Sequence, residues 1–163
     1  FIRKDIVWEE WLENFKEGLA APGGKDKMLF DLTITGPGMF SIKDLFDLSL
    51  ELDVRIETKI MFAFHPDIIF SPFAWPKHIL ARKIDELLEY IEPRATQKQS
   101  TLVNTLREMR NRPSFEEEYP EQFVQGKKNG KGFQDRLDSI RDEKITIADI
   151  YKADDELYEW WTK

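Results

Sequence analysis

The chain has 163 residues, 41% hydrophobic and 13% aromatic, which suits one folded domain and excludes a disordered tail. It contains no cysteine, which excludes disulfides, thiolate zinc sites, a cysteine nucleophile and any iron–sulfur cluster held by these residues alone. With 24 Lys and Arg against 31 Asp and Glu the net charge is −7, a balance that argues against non-specific binding to nucleic acid.

No apolar run approaches the ~20 residues that span a bilayer, and no charged-then-apolar leader opens the chain. The expectation is a cytoplasmic protein with no membrane and no nucleic-acid partner. The chain opens Phe1-Ile2-Arg3-Lys4, which reads as a segment cut from something longer.

Residues 7 to 20 carry Trp8, Trp11, Leu12, Phe15 and Leu19 at offsets of 0, 3, 4, 7 and 11, one face of a helix, with Glu9, Glu10, Glu13 and Lys16 opposite. Pro22-Gly23-Gly24 ends it. Met28 to Thr35 alternates as a strand: Met28, Phe30, Leu32 and Ile34 on one side, Asp31, Thr33 and Thr35 on the other. Gly36-Pro37-Gly38 breaks the strand, and Ser41 is placed to cap a helix through Ile42, Leu45, Phe46 and Leu48. Residues 54 to 62 alternate again, with Arg55, Glu57, Lys59 and Met61 on the polar side. Strand, helix, strand with short connections predicts parallel pairing and a right-handed crossover.

Asp67 to Phe70 reads as a third strand. Leu80, Ile84, Leu87, Leu88 and Ile91 mark a long helix stopped by Pro93, and a further helix through Leu102, Val103, Leu106 and Met109 ends near Pro113. Residues 113 to 132 are expected to be a mobile loop, since Gly126-Lys127-Lys128-Asn129-Gly130-Lys131-Gly132 is rich in glycine and lysine and lacks phosphate-loop spacing. Helices through Phe133, Leu137 and Ile140 and through Leu157, Trp160 and Trp161 follow. The expected organisation is an α/β part over residues 1 to 92 and a helical extension over 93 to 163.

The polar stripe on both strands has two readings. In a fully buried parallel sheet both faces are apolar. Either the stripe faces a wet lumen, as in a (β/α) barrel, or it is the solvent face of an open sheet. In the first case Asp31, Thr33, Thr35, Arg55, Glu57 and Lys59 line a site. His65, at the C-terminal end of the second strand, is the better placed of the two histidines for function; His78 reads as a solvated helix residue. Neither has a partner at metal-ligand spacing.

Phe1-Ile2-Arg3-Lys4 leading into Trp8-Glu9-Glu10-Trp11-Leu12-Glu13-Asn14-Phe15 resembles the segment after the fourth strand in radical S-adenosylmethionine enzymes of the twitch-domain type. Phe70-Ser71-Pro72-Phe73-Ala74-Trp75-Pro76-Lys77-His78-Ile79-Leu80, ahead of a long helix, is also similar to that family. The resemblance covers residues 1 to 92 in order of elements. It implies the C-terminal half of a partial (β/α) barrel with short parallel strands, followed by a helical extension. It further implies a CxxxCxxC loop in an upstream half of the same chain, with a [4Fe–4S] cluster and S-adenosylmethionine as cofactors of the whole protein and none held by this segment alone. On that reading Thr33 and Thr35 contact the cofactor, while Glu57, Lys59 and His65 contact a small-molecule or peptide substrate. A non-catalytic α/β binding or interaction module is the alternative.

Overall fold

The computed structural model describes residues 7–62, 67–140 and 145–163. Helix α1 spans Trp8–Ala20 on the predicted stripe, with Glu9 and Glu10 in its first turn, where the helix dipole favours acids. Only the second half of the stripe is buried, at Phe15 and Leu19, whereas Trp8 stays 51% exposed. Stacked rings carry α1 down to the sheet: Trp8 on Trp11 at 5.1 Å, Trp11 on Phe15 at 5.2 Å, and Phe15 against Phe30 at 4.9 Å. A four-residue helix, α2 (Gly24–Lys27), turns the chain into strand β1 (Leu29–Ile34).

A 3-10 turn at Pro37–Ser41 leads to α3 (Ile42–Glu51), which returns the chain to β2 (Arg55–Ile60). The strands pair in parallel, with Phe30 opposite Ile56, Leu32 opposite Thr58 and Ile34 opposite Ile60 on one face. That face is the core face. Phe30, Ile34 and Ile56 are buried, and the Thr58 hydroxyl lies 2.6 Å from the Thr105 hydroxyl. The α3–β2 corner turns at Asp53, whose φ of 54° is left-handed. Lys98 Nζ holds it through the Asp53 carbonyl at 2.7 Å and its carboxylate at 2.7 Å.

Residues Asp67–Phe70 form a 3-10 turn and not a third strand. Adjacent Ile68 and Ile69 are both fully buried, which a strand with alternating faces could not achieve on a half-solvated sheet. The Ile68 carbonyl accepts from Ser71 N–H at 3.2 Å, closing the turn. Among the described residues the sheet therefore has two strands. With 72% of the described residues helical, the expectation of part of a (β/α) barrel is overturned: the fold is a helical α/β mix. The period-two signal is real over β1 and β2, but no further strand continues the sheet among the described residues.

After a 3-10 turn at Pro72–Ala74, α4 (Lys77–Ile91) and α5 (Ser100–Asn111) form an antiparallel hairpin, joined through a 3-10 turn at Gln97–Gln99. Arg107 meets Glu92 at 2.8 Å and Arg110 meets Asp85 at 2.7 Å along its outer side. Two helices occupy the expected loop at 113 to 132: α6 (Phe115–Glu118) and α7 (Pro120–Ile140). Ser114 and Glu117 form a reciprocal capping box that starts α6, and Pro120 opens α7, where its missing N–H costs nothing. Gly126 of α7 serves packing. A Cβ on Gly126 would lie 2.4 Å from Ile68 Cγ2, so the helix can reach the buried 67–70 turn only with a hydrogen there. Buried Phe123, Gly126, Gly130 and Gln134 share that helix face.

Helices α8 (Ile147–Tyr151) and α9 (Asp155–Thr162) complete the chain. The apolar core is continuous from Phe15 to Trp161. Near its centre Trp75 Nε1 donates to the Tyr151 hydroxyl at 3.1 Å, and Trp161 stands edge-on to Tyr151 at 5.5 Å. No helix among the described residues is long and apolar enough to cross a membrane.

Candidate functional site

The second face of the sheet carries the polar stripe. Register sets Asp31 opposite Glu57 and Thr33 opposite Lys59. Lys59 Nζ pairs diagonally with Asp31 Oδ2 at 2.5 Å, and Arg55 Nε lies 3.2 Å from Glu57 Oε1 along β2. These four side chains are 43% to 66% exposed, so the stripe stands in water and not in an enclosed lumen. Exposed pairs of this kind contribute at most about 1 kcal/mol each, which leaves them free to exchange partners with a ligand.

Thr33 is exposed on the same stripe. Thr35 lies past the end of β1, where its hydroxyl accepts from Gly38 N–H at 3.0 Å and its carbonyl from Met39 N–H at 3.1 Å. Its oxygen is thus engaged in ending the strand. Of the predicted residues, the structure brings together Thr33, Glu57 and Lys59, and gives Thr35 a capping role. His65 lies outside the described residues, and His78 is exposed on α4.

Both edges of the sheet are open among the described residues. Beyond the β1–β2 ladder, no backbone or side-chain group pairs with the outward N–H and C=O groups of Leu29–Ile34 or Arg55–Ile60. A row of unpaired groups of this kind is a template for another strand.

Two concave surfaces lie away from the stripe. One, of about 740 Å³, runs between α1 and α3, with Trp8, Leu12, Leu32, Leu45 and Leu48 in it and Asp44, Asp47 and Glu51 around it. Asp47 accepts from the Tyr90 hydroxyl at 2.7 Å and sits 2.8 Å from the Arg94 guanidinium, which ties this wall to α4. The other, of about 620 Å³, lies between α7 and α9. The loop expected over residues 113 to 132 hides it, because the groove needs the first half of α7 to be helical. The signal was the spacing of Val124, Lys128 and Lys131, at helical offsets of 0, 4 and 7.

The wall formed by α9 is anchored by charge. Arg82 on α4 donates to both carboxylate oxygens of Asp154, at 3.0 and 2.8 Å, and also to Glu156. Asp154 in turn caps α9 through Leu157 N–H at 3.1 Å. Burial alone would push the Asp154 carboxyl up; the bonds from Arg82 and Leu157 outweigh it and hold the group below the usual range.

A [4Fe–4S] cluster does not fit the residues present, since the chain offers no thiolate and the described residues hold no group of three His, Asp or Glu placed for a metal. S-adenosylmethionine would find Thr33 and the charged stripe on one side only, so these residues supply at most one wall for it. No known protein family, curated protein or solved structure matches the chain.

Proposed function

We propose that the chain is the substrate-side part of a radical S-adenosylmethionine enzyme, with the polar face of β1 and β2 turned toward a small-molecule or peptide substrate. The open sheet carries this reading. Parallel sheets are ordinarily covered on both faces. Here one face is in water and neither outer edge is paired among the described residues. Residues outside the 163 are the natural source of what completes it, and of the cysteine triplet this chain lacks. The resemblance of residues 1–15 and 70–80 to that family supports the same reading. The cluster's chemistry lies outside this chain, whose own residues bind and orient. Lys59 Nζ, released from Asp31, neutralises a substrate carboxylate; Glu57 accepts from an amine or hydroxyl; Thr33, across from Lys59, donates to a neutral acceptor.

The test is to express the polypeptide with everything encoded ahead of Phe1, purify it without oxygen, supply iron and sulfide, and then add S-adenosylmethionine and dithionite as the reductant. Thiolate-to-iron absorption and reductive release of 5′-deoxyadenosine are expected. A colourless protein with no upstream cysteine triplet refutes the reading.

The groove between α1 and α3 favours a second reading, a non-catalytic binding or interaction module. Its half-exposed Trp8 and leucine floor have the make-up of a docking surface. The 163-residue chain alone separates the two. A monodisperse, cooperatively unfolding protein favours the module, and association through the open sheet edges favours the enzyme part.

A further inference from the structure

The groove between α7 and α9 gathers positive charge in a chain that is strongly acidic overall. Lys127, Lys128, Lys131 and Lys163 line it, against Glu116 and Asp135. Lys163 is paired with Glu159 at 2.9 Å, and two more of these cations are held by α9. Lys127 Nζ donates to the Trp160 carbonyl at 3.0 Å and sits 4.4 Å from the centre of the Trp160 ring. Lys131 Nζ donates to the Trp161 carbonyl at 2.6 Å. Both therefore close the C-terminal end of α9, whose dipole favours cations there. Each ammonium has three N–H donors, and one carbonyl uses only one of them. Burial, and then the neighbouring Lys131, push the Lys127 amine below its ordinary value, against the opposing pull of Glu116. Lys128 is exposed, with no hydrogen bond or ion pair to another described residue, and Val124 beside it is 70% exposed.

The shape selects among anions. Val124, Lys128, Lys131 and Asp135 fall at offsets of 0, 4, 7 and 11, a stripe about 16 Å long on the face of α7 that looks toward α9. A compact phosphate needs one nest of donors, whereas this stripe spaces its cations along an axis and opens with an exposed apolar side chain. Extended nucleic acid would meet the net charge of −7 over the rest of the surface. The geometry points to an acidic peptide segment as the occupant: carboxylates on Lys128 and Lys131, and an apolar side chain on Val124 beside Trp160. This inference is independent of the enzyme reading and stands or falls on its own measurement.

The test titrates the protein with a short synthetic peptide of Leu and Glu. The same peptide with Lys for Glu, and inorganic pyrophosphate, run in parallel, with tryptophan emission and calorimetry as readouts. The Leu/Glu peptide is expected to bind saturably and the Leu/Lys peptide not to bind. Reversing one exposed charge with Lys128→Glu should weaken binding about tenfold, while Lys128→Arg keeps the affinity. Circular dichroism should not change in either variant, because Lys128 supports no other residue. Val124→Ser should weaken the peptide and leave any pyrophosphate signal unmoved. Absence of saturable Leu/Glu binding, equal binding of the Leu/Lys peptide, or an unchanged affinity in Lys128→Glu overturns the assignment. Pyrophosphate binding as tightly as the peptide also overturns it, in favour of a small-anion site.

Discussion

Tyr151→Phe removes one oxygen from the centre of the molecule and should cost far more than an oxygen's worth of packing. The Tyr151 hydroxyl is fully buried and is the acceptor for Trp75 Nε1–H at 3.1 Å, with Trp75 itself 1% exposed. Without it the indole N–H is left in an apolar core with no partner, a loss of about 1–3 kcal/mol. Taking about 2 kcal/mol, a domain of this size should melt about 4–8 °C lower. The backbone offers no relief. A Cβ on Gly36 would lie 2.8 Å from Trp75 Nε1 and 2.9 Å from the Tyr151 oxygen, so the turn that ends β1 is packed onto this bond. Thermal and urea unfolding followed by far-ultraviolet circular dichroism measure the loss, with an unchanged urea slope showing that the folded and unfolded ensembles are otherwise alike. Burial pushes the Tyr151 phenol well above its ordinary value, although the Trp75 hydrogen bond opposes this. The phenol is thus neutral in both states up to about pH 9, and the deficit should be flat across neutral pH. A loss below about 0.5 kcal/mol would mean that the indole N–H has another acceptor, and would refute the reasoning.

On α7, two alanine substitutions six positions apart should act in opposite directions. Gly126→Ala drives a methyl to 2.4 Å from Ile68 Cγ2 and should destabilise by about 1–3 kcal/mol, whereas Gly132 has nothing within 4 Å and Gly132→Ala should stabilise by about 0.5–1 kcal/mol. Melting temperatures of the pair decide it; two shifts of the same sign would remove the packing account of Gly126. Lys59→Ala, at an exposed pair with Asp31, should change stability by less than about 1 kcal/mol, and a larger loss in urea titration would show that the stripe is structural. On the acid side, the bonds from Lys152 and then from Thr146 hold the Asp149 carboxyl low, and those from Ser114 N–H and its hydroxyl lower Glu117. Asp154 is also low, through Arg82 and against its burial. Groups depressed in the folded state contribute stability above their unfolded values near pH 4 and lose it as pH falls through the folded ones. Unfolding free energy should therefore be level above about pH 5 and decline below about pH 4. The gap between the native protein and Arg82→Ala should narrow over that decline; a gap constant with pH would rule out the Arg82–Asp154 contribution.

Local sequence specifies some of these elements, and only the packed core decides the others. The stripes of α1, α4 and α5, and the parallel β1–α3–β2 unit, follow from local periodicity, because each element buries one face whatever lies beyond it. Ile68 and Ile69 misled for the opposite reason. A short apolar run between prolines has the composition of a buried strand and of a buried turn, and only the depth of the surrounding core separates them. In α7 the glycines have the composition of a breaker, whereas Gly126 is small because Ile68 is close, a contact 58 positions away in the chain. Once α7 is a helix, three of its lysines, which looked like a solvated loop, share a wall with Trp160.

The polar stripe shows where periodicity stops being informative. Alternation of Asp31 and Thr33 with Leu32 and Ile34 says that one face of β1 meets water. It says nothing about whether that water is bulk solvent or the interior of a pocket, since hydrogen-bond register and side-chain period are the same in both. Exposures of 43% to 66% answer the question for the described residues, and the answer is solvent. The unpaired outer edges then supply a constraint that the stripe alone does not: a strand that pairs with either edge must bring its own side chains level with Thr33 or Lys59, on whichever side it joins. The same ion pairs that now cost little to break would then be partly shielded from water, and Lys59 and Asp31 would have to be satisfied by each other or by a ligand.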